Sequence, residues 1–330
     1  MSNQKLITIC IATYNRSDRV TNLIKTLLSF ELNNEVEILI IDDYSSDNTF
    51  ESLSQFSDVP NVSTYRNQQN LSRARTQLKY FNLCKTEFLV ELADDDYLLK
   101  DGLLELLDLL PKSDVDFFST RWIDPDGSFC PGRGSDKVQD VSLTNLRRAS
   151  EHSIGCVFRA SIIRHSEKYL LKRLDRDCVL AFFWHQNIVL CMAMLNNLTF
   201  VSCPILLGGY AQEGSATSNV RDSNGNEYFS LTVTFNKYLG LKEFYEDMLE
   251  QFPKSPLFDE LTILLNSHNL SLYNSIDDAF YFSDMLFGTN DLNESFRVGS
   301  MRNFLNPVKF LKYFFWFMKA KLNTLRYRYK

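Results

Sequence analysis

The feature that most restricts what this chain can fold into is a set of short apolar runs, each of which stops at a polar cluster. Leu6–Ala12 (LITICIA), Val36–Ile41 (VEILII) and Glu87–Leu92 (EFLVEL) are too short for stable amphipathic helices and have the continuous apolar character of strands covered on both faces. They end at Thr13–Arg16, Asp42–Asn48 and Asp94–Asp96. Between them lie helical stretches. Asp18–Phe30 puts Val20, Leu23, Ile24, Leu27 and Leu28 on one face, and Thr49–Gln55 and Ser72–Leu83 follow. Val62–Arg66 is a further strand, Leu103–Leu110 a helix stopped at Pro111, and Asp116–Thr120 a strand again. Strands alternating with helices over about 120 residues predict βαβ units and a mostly parallel α/β sheet. Ligands of such sheets bind beyond the carboxyl ends of the strands, so the three polar clusters are expected on one rim.

Asp94-Asp95-Asp96 has no basic residue beside it in sequence until Lys100. Three adjacent carboxylates repel one another and need a cation or solvent to stabilise them. Hard oxygen ligands suit Mn²⁺ or Mg²⁺ shared with substrate phosphates. A solvated acidic turn that caps the next helix is the other reading, and spacing alone does not separate the two.

Three ordered segments resemble the family 2 glycosyltransferases, whose fold is the GT-A nucleotide-diphospho-sugar transferase fold, a Rossmann-like sheet flanked by helices. Ile9–Arg16 is similar to the family's opening strand with its T/S-Y/F-N turn. Glu37–Thr49 (EILIIDDYSSDNT) is similar to its "IVDDGSTDGT" segment, and Phe88–Tyr97 to the strand ending in D-x-D. The resemblance covers about residues 5–125. It implies that Thr13, Tyr14 and Asn15, with Arg16 beside them, lie along the nucleoside. It implies too that Asp43 accepts a hydrogen bond from the base, and that Asp42 is a structural helix-start residue. Asp94, Asp95 and Asp96 would be the D-x-D, with Asp96, and Asp94 beside it, as metal ligands. Asn67–Arg75 (NQQNLSRAR) matches a segment that often reads N-x-G-L-S-x-A-R-N, with Asn70 in place of glycine. Arg75, and less so Arg73, would meet phosphate or base from the first turn of a helix.

Gly155–Arg159 resembles the family's acceptor-side strand, and Phe200–Leu206 a later strand that usually follows an acidic pair. His185-Gln186 stands where that pair is expected. Sugar transfer with inversion needs a base in reach of the acceptor hydroxyl. His185 is the first candidate, with Asp177 and Asp175 as competing carboxylates. A packed histidine and plain surface charges are the bland readings, and a retaining mechanism remains if none of the three acts. Gly208–Ser215 reads as a flexible loop closing over the donor, or as a linker.

Composition bounds the rest. The chain has 330 residues, 45% of them apolar and 23% charged, which excludes a disordered or low-complexity chain. Residues 301–330 hold eight basic and no acidic residues. The other 300 therefore carry 27 basic against 41 acidic, a formal charge of −14. With nine aromatics, this tail reads as an amphipathic segment at an anionic membrane surface, and a core helix with a basic face is its rival. The seven cysteines show no zinc spacing and read as reduced thiols. No eighteen-residue apolar run exists.

The expected organisation is a GT-A domain over 1–215, with nucleotide-sugar binding in 1–125 and the acceptor side in 126–215. A helical appendage over 216–300 and the tail follow. The expected activity is metal-dependent, inverting transfer of a sugar from a nucleotide-diphospho-sugar to a glycan or lipid-linked acceptor. Its setting would be bacterial surface-polysaccharide (O-antigen or capsule) assembly, with the protein cytoplasmic and peripheral at the inner face of the plasma membrane. No nucleic-acid partner is expected. A nucleotidyltransferase is a rival, although Thr13–Arg16 lacks the glycines of its phosphate loop. A non-catalytic nucleotide-sugar-binding protein is the second.

Overall fold

Strand β1 (Ile7–Thr13) runs through the middle of the parallel half of the sheet, and its alternation explains why. Ile7, Ile9 and Ile11 point into one core layer, Thr8 and Cys10 lie on the opposite face, and all five are buried. The computed structural model describes residues 5–124, 127–129, 145–146, 149–150, 155–164, 198–210 and 243–262.

β1 pairs in parallel with β2 (Val36–Asp42), in register from Ile7 opposite Val36 to Thr13 opposite Asp42. On its other side it pairs in parallel with β4 (Phe88–Glu91). β3 (Val62–Arg66) extends the parallel half beyond β2. Past β4 the sheet changes character. β7 (Cys156–Arg159) is antiparallel to β4, and β6 (Phe117–Ile123) is antiparallel to β7. β8 (Phe200–Tyr210) is parallel to β6, and β5 (Asp96–Leu98) closes the edge antiparallel to β8. The order β3-β2-β1-β4-β7-β6-β8-β5 is thus an eight-stranded mixed sheet whose parallel pairings concentrate in its N-terminal half.

Helix α1 (Ser17–Leu28) buries Val20, Leu23, Ile24 and Leu27 against the isoleucine layer of β1 and β2. α2 (Thr49–Leu53) is short and continues as one 3₁₀ turn to Phe56. α3 (Ser72–Leu83) precedes β4. α4 (Lys100–Leu109) ends in a 3₁₀ turn at Leu110–Lys112 that accommodates Pro111. α4 lies so close to β8 that a Cβ on Gly102 would stand 2.0 Å from the Leu206 carbonyl oxygen.

The same crowding corrects one expectation. Gly208 and Gly209 belong to a strand and not to a loop, since they end β8 opposite Leu98 and Tyr97 of β5. A Cβ on Gly208 would meet the Tyr97 carbonyl oxygen at 2.1 Å and the Trp122 ring at 2.7 Å. These glycines permit close strand packing. Residues 211–215 lie outside the described residues.

The chain divides into two compact units, Met1–Asp175 with Leu180–Ser215 and Arg176–Val179 with Ala216–Lys330. In the second, residues 243–251 and 258–262 are helical and bury Phe244, Tyr245, Met248 and Leu261. The remainder of the expected appendage and the tail 301–330 lie outside the described residues. Among the described residues no helix is long and apolar enough to cross a membrane. Cys10, Cys84, Cys156 and Cys203 are buried thiols outside any disulfide.

Candidate active site

The parallel register brings the ends of β1, β2 and β4 to one rim, and the side chains there lock the loops together. The Asp43 N–H donates to the Thr13 carbonyl, which extends the β1–β2 ladder by one residue. Asn15 adopts a positive φ of 53°. Its amide oxygen accepts from the Ser46 N–H at 2.8 Å, and its own N–H donates to Ser45 Oγ at 2.9 Å. Asn15 is therefore engaged with the second loop, while Tyr14 presents a ring that is 45% exposed.

The two aspartates at the end of β2 are used differently. Asp42 is fully buried, accepts from the N–H and hydroxyl of Ser45, and is ion-paired with Arg66 Nε at 3.3 Å. Burial raises its pKa, and the Ser45 hydrogen bonds and Arg66 offset only part of that. Asp43 is buried too, at 5% exposure, and is held by the segment after β3. Its Oδ1 accepts from Asn67 Nδ2 at 2.7 Å and from the Leu71 N–H at 2.8 Å. No donor among the described residues reaches its Oδ2.

Asn67 is the positioning residue that sequence reasoning missed. It is buried, and its Nδ2 also donates to Thr76 Oγ1 at 2.9 Å while its Oδ1 accepts from Lys79 Nζ at 2.5 Å. Its N–H donates to the Asp42 carbonyl at 2.9 Å. The only sequence signal was an amide at the end of a strand, four residues before the turn into α3. Arg75 lies half-buried in the first turn of α3. The side chain of Arg73 lies outside the described ones.

The acidic triplet has cations beside it in space, which corrects its isolated appearance in sequence. Arg16 Nη1 stands 2.5 Å from Asp94 Oδ1 and 3.0 Å from Asp95 Oδ2, and Arg19 Nη1 is 3.5 Å from Asp95 Oδ2. Thr13 Oγ1 donates to Asp94 Oδ2 at 2.8 Å. Both Asp94 oxygens are therefore engaged. Burial is the largest influence on Asp94 and raises its pKa despite Arg16 and Thr13. For Arg16, burial works against the charge, but Asp94 and Asp95 outweigh it and raise the guanidinium pKa. The ion pair itself favours the charged form of both partners.

Asp96 opens β5 and is 9% exposed. Among the described residues no group of three His, Cys, Asp or Glu side chains is placed to hold a metal ion. An all-protein metal cage is thus absent there. The donor set instead fits an ion that takes a hard carboxylate oxygen from the triplet and the rest of its shell from water and a ligand's phosphates. His185, Asp177 and Asp175 lie outside the described residues.

Residues 8–170 match the family described as "Glycosyl transferase family 2". The chain belongs to glycosyltransferase family 2. None of the curated proteins compared matches it. Solved structures similar to this glycosyltransferase include S. aureus TarS 1-349, at 15% identity and a TM-score of 0.56 over 88% of this chain and 77% of that one. The complex of TarS 1-349 with UDP-GlcNAc is 16% identical, with a TM-score of 0.55 over 96% and 79%. The Pyrobaculum calidifontis mannosyltransferase PcManGT, in complex with GDP-Man and Mn²⁺, is 13% identical, with a TM-score of 0.52 over 98% and 87%. At these identities the likeness establishes the GT-A-like fold of this glycosyltransferase.

Proposed function

We propose that this enzyme transfers a sugar from a UDP- or GDP-sugar to a glycan or lipid-linked acceptor, with Mn²⁺ or Mg²⁺ at the donor diphosphate. The observation that carries the donor assignment is Asp43. One carboxylate oxygen is held by Asn67 and Leu71, and no donor among the described residues reaches the other. An acceptor-only carboxylate can take the ring N–H that uracil and guanine both present. UDP-GlcNAc and GDP-Man, bound by TarS and PcManGT, belong to those two classes.

Tyr14 lies along the nucleoside, and Arg16 and Arg75 serve the phosphate side. Asp96 would be the direct metal ligand, with Asp94 beside it. A divalent ion held there would offset the diphosphate charge and stabilise the departing nucleoside diphosphate. In the inverting reaction, a base takes the proton of the acceptor hydroxyl as that oxygen bonds to the anomeric carbon. As that bond forms, the bond from the anomeric carbon to the phosphate oxygen breaks, with its electron pair going to the nucleoside diphosphate. His185 is the proposed base, with Asp177 and Asp175 as alternatives.

The domain organisation belongs to the same proposal, with catalysis in 1–215, a helical appendage in 216–300 and a membrane-surface tail in 301–330. The basic aromatic composition of that tail supports an acceptor presented at the inner face of the plasma membrane, as in surface-polysaccharide assembly.

The test is nucleoside diphosphate release from a panel of UDP- and GDP-sugars, with Mn²⁺ and with chelator. We expect release from one nucleotide class, abolished by chelator and by Asp96→Ala. Release undiminished in chelator overturns the metal assignment. Binding without release from any sugar identifies a non-catalytic binder.

A further inference from the structure

Tyr44 follows Asp43 at a position where backbone geometry disfavours it. Its φ is 66°, in the left-handed region that bulky side chains adopt only under constraint. The two other described non-glycine residues with positive φ are Asn15, a type that visits this region readily, and Glu31 in the turn after α1. The similar family segment "IVDDGSTDGT" carries glycine at this point, which suits such a φ. Here the chain places a tyrosine whose side chain is half exposed, so packing in the core does not account for it.

The ring is nevertheless held. The Arg66 guanidinium lies over it at 5.4 Å from the centroid and over the Phe50 ring at 4.9 Å. Arg66 is itself fixed by the fully buried Asp42 at 3.3 Å and by donation from Nη2 to the Ser45 carbonyl at 2.8 Å. Phe50, Arg66 and Tyr44 form a stack anchored to the end of β2. The loop carrying Tyr44 is tied to the loop carrying Tyr14 through Asn15 and Ser45.

We infer that Tyr44 is a donor-specificity residue whose free ring face stacks on the nucleobase that Asp43 binds. This rests on the assignment of Asp43 to the base. It gives Asp42 and Arg66 a function beyond loop closure, because they hold the platform. A flat ring mounted on a guanidinium offers stacking area with little rotamer freedom left to lose on binding.

Titration of the full chain with UDP, GDP and inorganic pyrophosphate in Mn²⁺ buffer tests this. Loss of base stacking at one ring corresponds to about tenfold in affinity. Tyr44→Ala and Tyr44→Gly should each weaken the preferred nucleotide by about that factor and leave pyrophosphate unchanged. Tyr44→Phe should rescue the affinity, since it keeps the ring. Tyr44→Gly should melt above Tyr44→Ala, because both lack the ring and only alanine retains the strain. Nucleotide affinity preserved in Tyr44→Gly, or an equal loss for pyrophosphate, overturns the inference. Asp43→Ala separates the two claims. If it loses nucleotide affinity while Tyr44→Gly does not, only the Tyr44 role fails. If Asp43→Ala itself binds normally, the base assignment fails and this inference with it.

Discussion

Asn67→Ala asks whether the acceptor geometry of Asp43 is imposed by a neighbour. The buried Asn67 side chain makes three hydrogen bonds, to Asp43 Oδ1, Thr76 Oγ1 and Lys79 Nζ, and alanine removes all of them. A neutral hydrogen bond contributes about 1 kcal/mol net and one to a charged group about 1.5–3 kcal/mol. The full sum is not expected, because the Lys79 bond is only partly buried and Asp43 keeps the Leu71 N–H. We therefore expect unfolding in urea to report a loss of about 2–3 kcal/mol. Nucleoside diphosphate binding should weaken about tenfold by calorimetry, because Asp43 becomes free to turn. The decisive measurement is a double-mutant cycle with Asp43→Ala. If Asn67 acts through Asp43, its effect on nucleotide affinity disappears once Asp43 is gone, and the stability coupling exceeds about 1 kcal/mol. Additive effects within about 0.3–0.5 kcal/mol would refute the link. Asn67 would then be a strap between β3 and α3 with no bearing on the base.

Asp43→Ala should cost about 1–3 kcal/mol of nucleotide affinity, whereas Asp42→Ala should act mainly through stability by releasing Arg66 and Ser45; calorimetry ranking them the other way moves the base contact by one residue. Burial raises the carboxyls of Asp42 and Asp94 above the ordinary 3.8, so just above that pH the folded protein keeps protons the unfolded chain has released. Their contribution to stability therefore falls as pH rises through that window and returns on acidification, and Asp94→Asn should flatten the trend in melting temperature there. His185→Ala should lower turnover by about 10²–10⁴-fold with donor affinity kept and remove the low-pH limb of the rate profile; a lower melting temperature with an unchanged profile makes it a packing residue. Truncation after Ser300 should leave nucleotide binding intact and abolish salt-sensitive sedimentation with anionic liposomes, at about 1 kcal/mol per basic residue near the surface; unfolding instead makes the tail part of the core.

What was legible in this sequence follows from the range over which each signal acts. Strand β1 announces itself because both faces are buried, so the one polar residue from Ile7 to Ala12 is Thr8, whose hydroxyl pairs with that of Thr86. The polar clusters at its end and at the ends of β2 and β4 then fall on one rim by register alone. Side-chain chemistry across that rim is a different matter. Arg16 and Asp94 are 78 residues apart in sequence, and Asn67 and Asp43 are 24 apart. No local pattern encodes either pair, so the triplet looked more isolated and Asp43 less constrained than they are. The misassigned glycines fail for a related reason. Gly208 and Gly209 look like loop residues because glycine usually marks freedom, whereas here it answers to Tyr97 and Trp122 pressing from neighbouring strands. Tyr44 shows the converse. In sequence it is an aromatic where the similar family segment has glycine, and its φ of 66° shows why glycine would be easier there. A departure of that kind says more about function than agreement with the motif does, because the surrounding Asp42 and Arg66 contacts are needed to hold it.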